Sequence, residues 1–204
     1  DNSIAVYPGA GSGLQANHVR DASPMIEGAK VVMASCEVPL QATLEAFTMA
    51  RASGAHTLLN PAPAMPLPDA LWPLVDVLTP NEGELHALAG ETDTDRAAYG
   101  LLERGAGTVV VTLGERGCAL YRKQHPPQRV QGHAVHVADT IGAGDTFTGA
   151  LAAALARGES WEQALQTANA AAALSTQARG AVAAMPSRQA VTQWLCGSCA
   201  LSRS

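Results

Sequence analysis

Val137-Ala-Asp-Thr-Ile-Gly-Ala-Gly-Asp-Thr-Phe-Thr-Gly-Ala-Leu-Ala-Ala-Ala-Leu, residues 137–155, runs from a strand end through a turn of small residues straight into an amphipathic helix. Gly142, Ala143 and Gly144 offer little or no side chain to obstruct an approaching phosphate, and their N–H groups can converge at the positive end of the helix that follows. The segment therefore predicts an anion hole of backbone donors. Asp145 stands beside that hole and has two readings. Aspartate is a favoured helix N-cap, and a carboxylate within reach of a hydroxyl can take its proton as a phosphoryl group transfers.

Outward from this stretch, short β-branched runs alternate with helical patterns. Strands are predicted at 4–7, 31–34, 57–60, 75–79 and 108–112, and helices at 40–52, 82–89, 95–104, 146–157 and 161–177, with Gly54, Gly90, Gly105 and Gly158 just past the ends of four of them. Such alternation implies a mostly parallel sheet covered by helices. Between Thr112 and Asp139 the period changes, and 118–122 and 128–137 read as antiparallel strands joined at His125-Pro-Pro. No repeat or linker divides the chain, so 1–204 reads as a single domain.

Composition closes several function classes. A net charge of −5 without long runs of one sign leaves no basic stripe for a nucleic-acid backbone. The longest apolar stretches, such as 170–174, fall far short of the roughly 20 residues that cross a bilayer. Four scattered cysteines suit a reducing cytosol better than a disulfide framework. Cys196 and Cys199 form a C-x-x-C with no second ligand pair close in sequence, which favours ordinary thiols over zinc or redox chemistry. His133 and His136 point to opposite faces if their alternating run is a strand, and read as surface residues. Neither G-x-G-x-x-G nor G-x-x-x-x-G-K-[ST] occurs, so a dinucleotide fingerprint and a P-loop are excluded as phosphate sites.

The string Asp139-Thr-Ile-Gly-Ala-Gly-Asp-Thr-Phe-Thr-Gly resembles the C-terminal signature of the ribokinase family, in which the last Asp is the catalytic base and the glycine turn is the anion hole. The resemblance spans nearly the whole chain. It implies a three-layer α/β/α fold with a mostly parallel central sheet, here incomplete at the N-terminus, and ATP-dependent phosphorylation of the primary hydroxyl of a sugar, ribose first. Another sugar or nucleoside kinase of the family and a non-catalytic nucleotide-binding remnant are the alternatives.

Other segments follow in the family's order. Asn60-Pro-Ala-Pro-Ala and then Val75-Asp-Val-Leu-Thr-Pro-Asn-Glu-Gly-Glu look like the strand and loop whose Asn-x-x-Glu pair, Asn81 and Glu84, organises magnesium and phosphates. Spaced three apart on one helical face, an amide and a carboxylate can hold a hydrated Mg²⁺ or simply cap a helix. Val109-Val-Val-Thr-Leu-Gly-Glu-Arg-Gly-Cys-Ala-Leu resembles the segment lining adenine and ribose, with Thr112 and Gly114 at the matching positions. Ala168-Asn-Ala-Ala-Ala-Ala-Leu matches a helix near adenine, which makes Asn169 a candidate contact; a small-residue helix interface fits the same string.

Val31-Val-Met-Ala-Ser-Cys-Glu-Val-Pro-Leu is similar to the segment whose Glu borders the sugar, which assigns Glu37 to sugar hydroxyls at the C-terminal end of a parallel strand. The family also places a monovalent cation, K⁺, among Asp139, the Ile141 carbonyl and the carbonyls near Gly180, often with a Ser where this chain has Ala184. Only the C-terminal two-thirds or so of the family's length is matched. The first residue is Asp1, and the expectation is a chain lacking the glycine-rich sugar segment and the lid strands, which binds adenine nucleotide weakly but does not phosphorylate ribose at a useful rate, from a cytoplasmic protein that is a homodimer at full length.

Overall fold

The structure, a computed structural model, describes residues 9–201 and divides into two compact units at Val109 and Val110. The strand expected at 4–7 lies outside the described residues.

The first unit opens with a 3-10 turn, Gly9–Gly13, and two short helices, α1 (Ala16–Asp21) and α2 (Ser23–Glu27). It continues through β1 (Val31–Ser35), α3 (Leu40–Ala52), β2 (His56–Asn60), β3 (Val77–Leu78), α4 (Glu82–Ala89), α5 (Thr94–Glu103) and β4 (Thr108–Thr112), the last of which runs on into the second unit. The pairs β1–β2, β2–β3 and β3–β4 are all parallel, in registers that include Ser35↔Asn60, Leu59↔Leu78 and Leu78↔Val109. Leu58, Leu59, Val77, Leu78 and Val109 are buried, the continuous apolar run expected of strands covered on both faces. Helix α3 packs against β1 and β2 and buries Ala42, Phe47 and Ala50, so its apolar face closes one side of this sheet.

The strand expected at 75–79 is pared down to Val77–Leu78. At Asp76 the ladder gives way to side-chain bonds: the Asp76 N–H donates to Thr57 Oγ1 at 3.0 Å, and the buried Thr57 N–H donates to Asp76 Oδ2 at 2.9 Å. Arg51 reaches the other carboxylate oxygen, and Gly107 N–H takes the Val75 carbonyl at 2.9 Å. Asp76 thus fastens the start of β2 to the end of α3 and the start of β3. Asp76→Ala removes the acceptor of a buried amide, and the unfolding free energy is expected to fall by about 1–3 kcal/mol in a urea titration. The half-exposed Arg51 ion pair adds little to that figure.

In the second unit β5 (Cys118–Arg122) and β6 (Gln128–Val130) pair antiparallel, with Cys118↔Val130 in register. Helices α6 (Ala143–Ala156), α7 (Trp161–Ser175) and α8 (Arg188–Leu201) follow. The strand expected at 128–137 stops at Val130, because beyond it the backbone of 131–132 crosses the β4–β5 turn. His133 accordingly lies in irregular chain, half-buried and edge-on to Trp194 at 6.3 Å between ring centroids, rather than on a strand surface. Alanines let α6 and α7 approach closely, with Leu151, Ala154, Ala164, Leu165 and Ala168 buried. Ser160 and Gln163 cap α7 reciprocally.

The helices α1, α2 and α8 carry no clean apolar period and escape the sequence reading. Among the described residues no helix is long and apolar enough to cross a membrane.

Candidate functional site

In the first unit the parallel register brings the C-terminal ends of β1, β2 and β3 to one edge of the sheet. Glu37 follows β1 by two residues and is exposed, with its N–H on Ser35 Oγ at 3.4 Å. The adjoining Cys36 N–H donates to the Ala62 carbonyl at 3.1 Å, which ties the end of β1 to the proline-spaced loop after β2.

Asn81 and Glu84 stand at the start of α4 and hold each other. The Glu84 N–H donates to Asn81 Oδ1 at 2.8 Å, and the Asn81 N–H donates to Glu84 Oε2 at 2.9 Å. The capping role open to this pair from its spacing is therefore realised, and it fixes the direction in which the Glu84 carboxylate leaves the helix. Burial, and then the Glu84 charge, push the Cys36 thiol up to about 11. That thiol stays protonated and unreactive, and the same influence shows that Glu84 reaches the end of β1 electrostatically.

In the second unit Gly142, not Asp145, occupies the N-cap of α6. Its backbone is left-handed at φ 75°, and a Cβ there would come within 3.0 Å of the Ala181 Cβ. The turn therefore needs glycine on two counts. The Ala143 N–H folds back onto the Thr140 carbonyl at 3.2 Å and the Thr146 N–H takes the Gly142 carbonyl at 2.9 Å. Between them, the N–H groups of Gly144 and Asp145 have no acceptor among the described residues. They are the orphan donors of a helix start.

The Asp145 carboxylate is exposed and makes no hydrogen bond or ion pair among the described residues, so it caps nothing. It stands at the rim of a groove of about 340 Å³ walled by α6, α7 and α8. From sequence alone Asp145 is a candidate through its side chain. Its own N–H became visible as a donor once the αL start of the helix was placed at Gly142.

Thr112 ends β4, and Gly114, exposed, turns the chain at φ 61° into the Gly114–Arg116 3-10 turn. Asn169 is buried, and its Nδ2 donates to the Gln131 carbonyl at 2.7 Å. At least one of its amide groups is therefore engaged with protein.

Asp139 joins two loops. Its Oδ1 accepts from Ile141 N–H at 3.0 Å and its Oδ2 accepts from Gly180 N–H at 3.1 Å. The Ile141 N–H, then the Gly180 N–H, and more weakly the Arg179 charge hold its carboxyl below the ordinary carboxylate value. A depressed folded-state pKa stabilises the fold at pH values above the unfolded pKa, and that contribution disappears as pH falls through the folded pKa. Asp139→Asn is therefore expected to be less stable than the unaltered protein at neutral pH and to lose less on acidification. Thermal midpoints measured from pH 7 down to 3 check this, and parallel acid limbs would speak against it.

Both carboxylate oxygens of Asp139 are thus engaged by backbone N–H groups. Among the described residues no group of three or more His, Cys, Asp or Glu side chains could hold a metal ion. Cys196 is a free, exposed thiol on α8; the side chain of Cys199 lies outside the described residues.

The family profile described as pfkB family carbohydrate kinase matches residues 1–188. Ribokinase of Mus musculus is 41% identical over 194 residues, covering 91% of this chain and 60% of that protein. The crystal structure of a ribokinase from Thermotoga maritima matches with a TM-score of 0.87 at 32% identity, over 96% of this chain and 65% of its own. The structure of Arabidopsis thaliana ribokinase complexed with ribose and ATP matches with a TM-score of 0.86 at 31% identity, over 95% of this chain and 64% of its own. The chain thus spans 60 to 65% of the length of these relatives.

Proposed function

The chain belongs to the pfkB family of carbohydrate kinases and has the ribokinase-like three-layer α/β/α fold, and from that premise we propose that the protein carrying it transfers the γ-phosphoryl group of ATP to the primary hydroxyl of a sugar, ribose in the first place. The observation that carries this reading is the start of α6. There an exposed carboxylate, Asp145, and the backbone N–H groups of Gly144 and Asp145 have no partner among the described residues.

In this reading Asp145 removes the proton of the sugar hydroxyl as its oxygen attacks the γ-phosphorus. The bond from that phosphorus to the β–γ bridging oxygen breaks, and ADP leaves. The turn Gly142–Gly144 and the positive end of α6 face the charge that develops on the transferring group. The N–H groups of Gly144 and Asp145, which have no acceptor among the described residues, are available to it. Donors fixed before the reaction need no reorganisation during it, which is why a rigid helix start serves better than a mobile side chain.

Thr112, Gly114 and Asn169 are the residues proposed for the nucleoside of ATP, and Glu37 for sugar hydroxyls. Mg²⁺ would be held near Asn81 and Glu84. Their reciprocal bonds fix the carboxylate at the helix start, where it can meet a cation that keeps several of its waters. K⁺ would be held by the Ile141 and Gly180 loops, which Asp139 fastens together. When bound, these cations would offset phosphate charge. The residues of this chain do the rest: they position, exclude water and accept the proton. The buried free thiols Cys36 and Cys118 support a reducing, cytoplasmic setting, and the family resemblance implies a homodimer.

The test is a coupled assay for ADP release by the full-length protein with ribose, with a panel of other sugars and nucleosides, and beside it a calorimetric titration with ATP. Ribose-dependent turnover bears the proposal out. Turnover only with another acceptor keeps the reaction and replaces the sugar. ATP binding without turnover on any acceptor would mean a nucleotide-binding protein without kinase activity.

A further inference from the structure

We infer that Asn169, Gln131, Gly132 and Gly117 form a backbone clamp that sets the position of the loop 112–117, so that they act on nucleotide affinity as positioning residues, without touching the nucleotide through Gln131, Gly132 or Gly117. The inference rests on the nucleotide role proposed above for Thr112 and Gly114.

The loop closes on itself. Leu113 N–H donates to the Gly117 carbonyl at 2.8 Å, and Gly117 N–H donates to the Gly114 carbonyl at 3.0 Å. These bonds give the loop its shape and leave its placement to whatever it rests on. It rests on the chain leaving β6. A Cβ on Gly132 would overlap the Glu115 carbonyl oxygen and lie 2.8 Å from the Glu115 carbonyl carbon. One on Gly117, at φ 93°, would overlap the Val130 carbonyl oxygen and lie 2.6 Å from the Gly132 nitrogen.

Two backbones therefore cross in direct contact with no side chain between them. Close-packed atoms have no slack, so a shift in one strand of this crossing moves the other by a similar amount. Gln131 lies within the crossing, and its carbonyl receives the Asn169 Nδ2 at 2.7 Å. Asn169 is buried on α7 and is anchored there by the packing of that helix on α6. The mechanical route runs from α7 through one amide to Gln131, across the paired glycines, and into Glu115 and Gly114. Every residue in it belongs to the second unit.

Two substitutions in the full-length protein probe the route at different points. Asn169→Asp keeps the shape and the oxygens but removes the donor and sets a carboxylate against the Gln131 carbonyl. Gly132→Ala puts a methyl group against the Glu115 backbone. Each is expected to raise the KM for ATP about tenfold and to narrow the preference for ATP over GTP, while kcat at saturating ATP and the KM for the sugar stay within about twofold. An effect of Gly132→Ala in the same direction as Asn169→Asp separates the clamp from a direct contact by Asn169.

Thermal midpoints show which variants fold, and if Gly132→Ala does not, amide hydrogen exchange of nucleotide-free Asn169→Asp decides: faster exchange at Leu113 and Gly117 supports the clamp, and unchanged exchange there overturns it. Folded variants with an unchanged KM for ATP and unchanged base preference would overturn the clamp, as would an equal loss in kcat and in sugar KM. Calorimetry on the unaltered protein separates the two levels. If it binds no adenine nucleotide, the nucleotide reading fails and takes the clamp with it; if it binds ATP and the variants are neutral, only the clamp fails.

Discussion

Asp145→Asn is expected to lower kcat by about 10³- to 10⁴-fold while leaving the dissociation constant of ATP within a few fold, because a base contributes only along the reaction path. The substitution is nearly isosteric and removes the one property that matters, the capacity to take up a proton. Its cost to folding is small for reasons visible at the site. The carboxylate has no partner among the described residues, so its loss orphans no buried group. What it forfeits is a negative charge in the first turn of α6, about 0.3–1 kcal/mol at an exposed position. Single-turnover phosphorylation of the sugar, run beside calorimetric ATP binding, reads both quantities. Turnover near that of the unaltered protein would end the assignment of Asp145 as base, whatever the family.

Gly144→Val is expected to lower kcat/KM by at least about 100-fold and to weaken ATP binding with it, the size of effect seen when an oxyanion donor is lost. The structure makes this variant informative, since a Cβ on Gly144 meets no protein atom within 4 Å. Valine is also no worse than glycine inside a helix. The fold should therefore tolerate the change, and any damage reports a ligand that needs the space. Gly142→Val behaves differently, because the left-handed backbone and the nearby Ala181 oppose any side chain there. It should lower the thermal midpoint, whereas Gly144→Val should leave it in place. ATP binding by Gly144→Val as tight as by the unaltered protein would argue against a phosphate site at this turn.

The two positions also show where reading by residue type stops. From the sequence, Gly142, Ala143 and Gly144 were equivalent small residues with N–H groups to offer. In the structure Gly142 is the cap, Ala143 bonds back to Thr140, and the N–H groups of Gly144 and Asp145 have no acceptor among the described residues. Which N–H is left over depends on where the helix starts, and the residue at that start must be glycine because Ala181, some forty residues along the chain, leaves no room for a side chain. Asn81 and Glu84 differ again. Their spacing allowed a cap or a cation site, and the cap is present.

Elements whose physics is local were legible in the residues alone. The helices at Leu40–Ala52 and Glu82–Ala89 and the strands at Thr108–Thr112 and Cys118–Arg122 lie where period, glycine stops and β-branching placed them. The alternation of strands and helices implied parallel pairing, and the string around Asp139 and Asp145 pointed to the kinase family now found. Features that depend on contacts distant in sequence emerged only from the folded chain. β3 shortened because Asp76 bonds to Thr57 across the sheet; β6 stopped at Val130 because Gly132 meets Glu115; Asn169, read as a candidate for adenine, holds the Gln131 carbonyl. Propensity and period act over a few residues along the chain, whereas a crossing of two backbones or a buried amide finding its acceptor is fixed by what folding brings alongside.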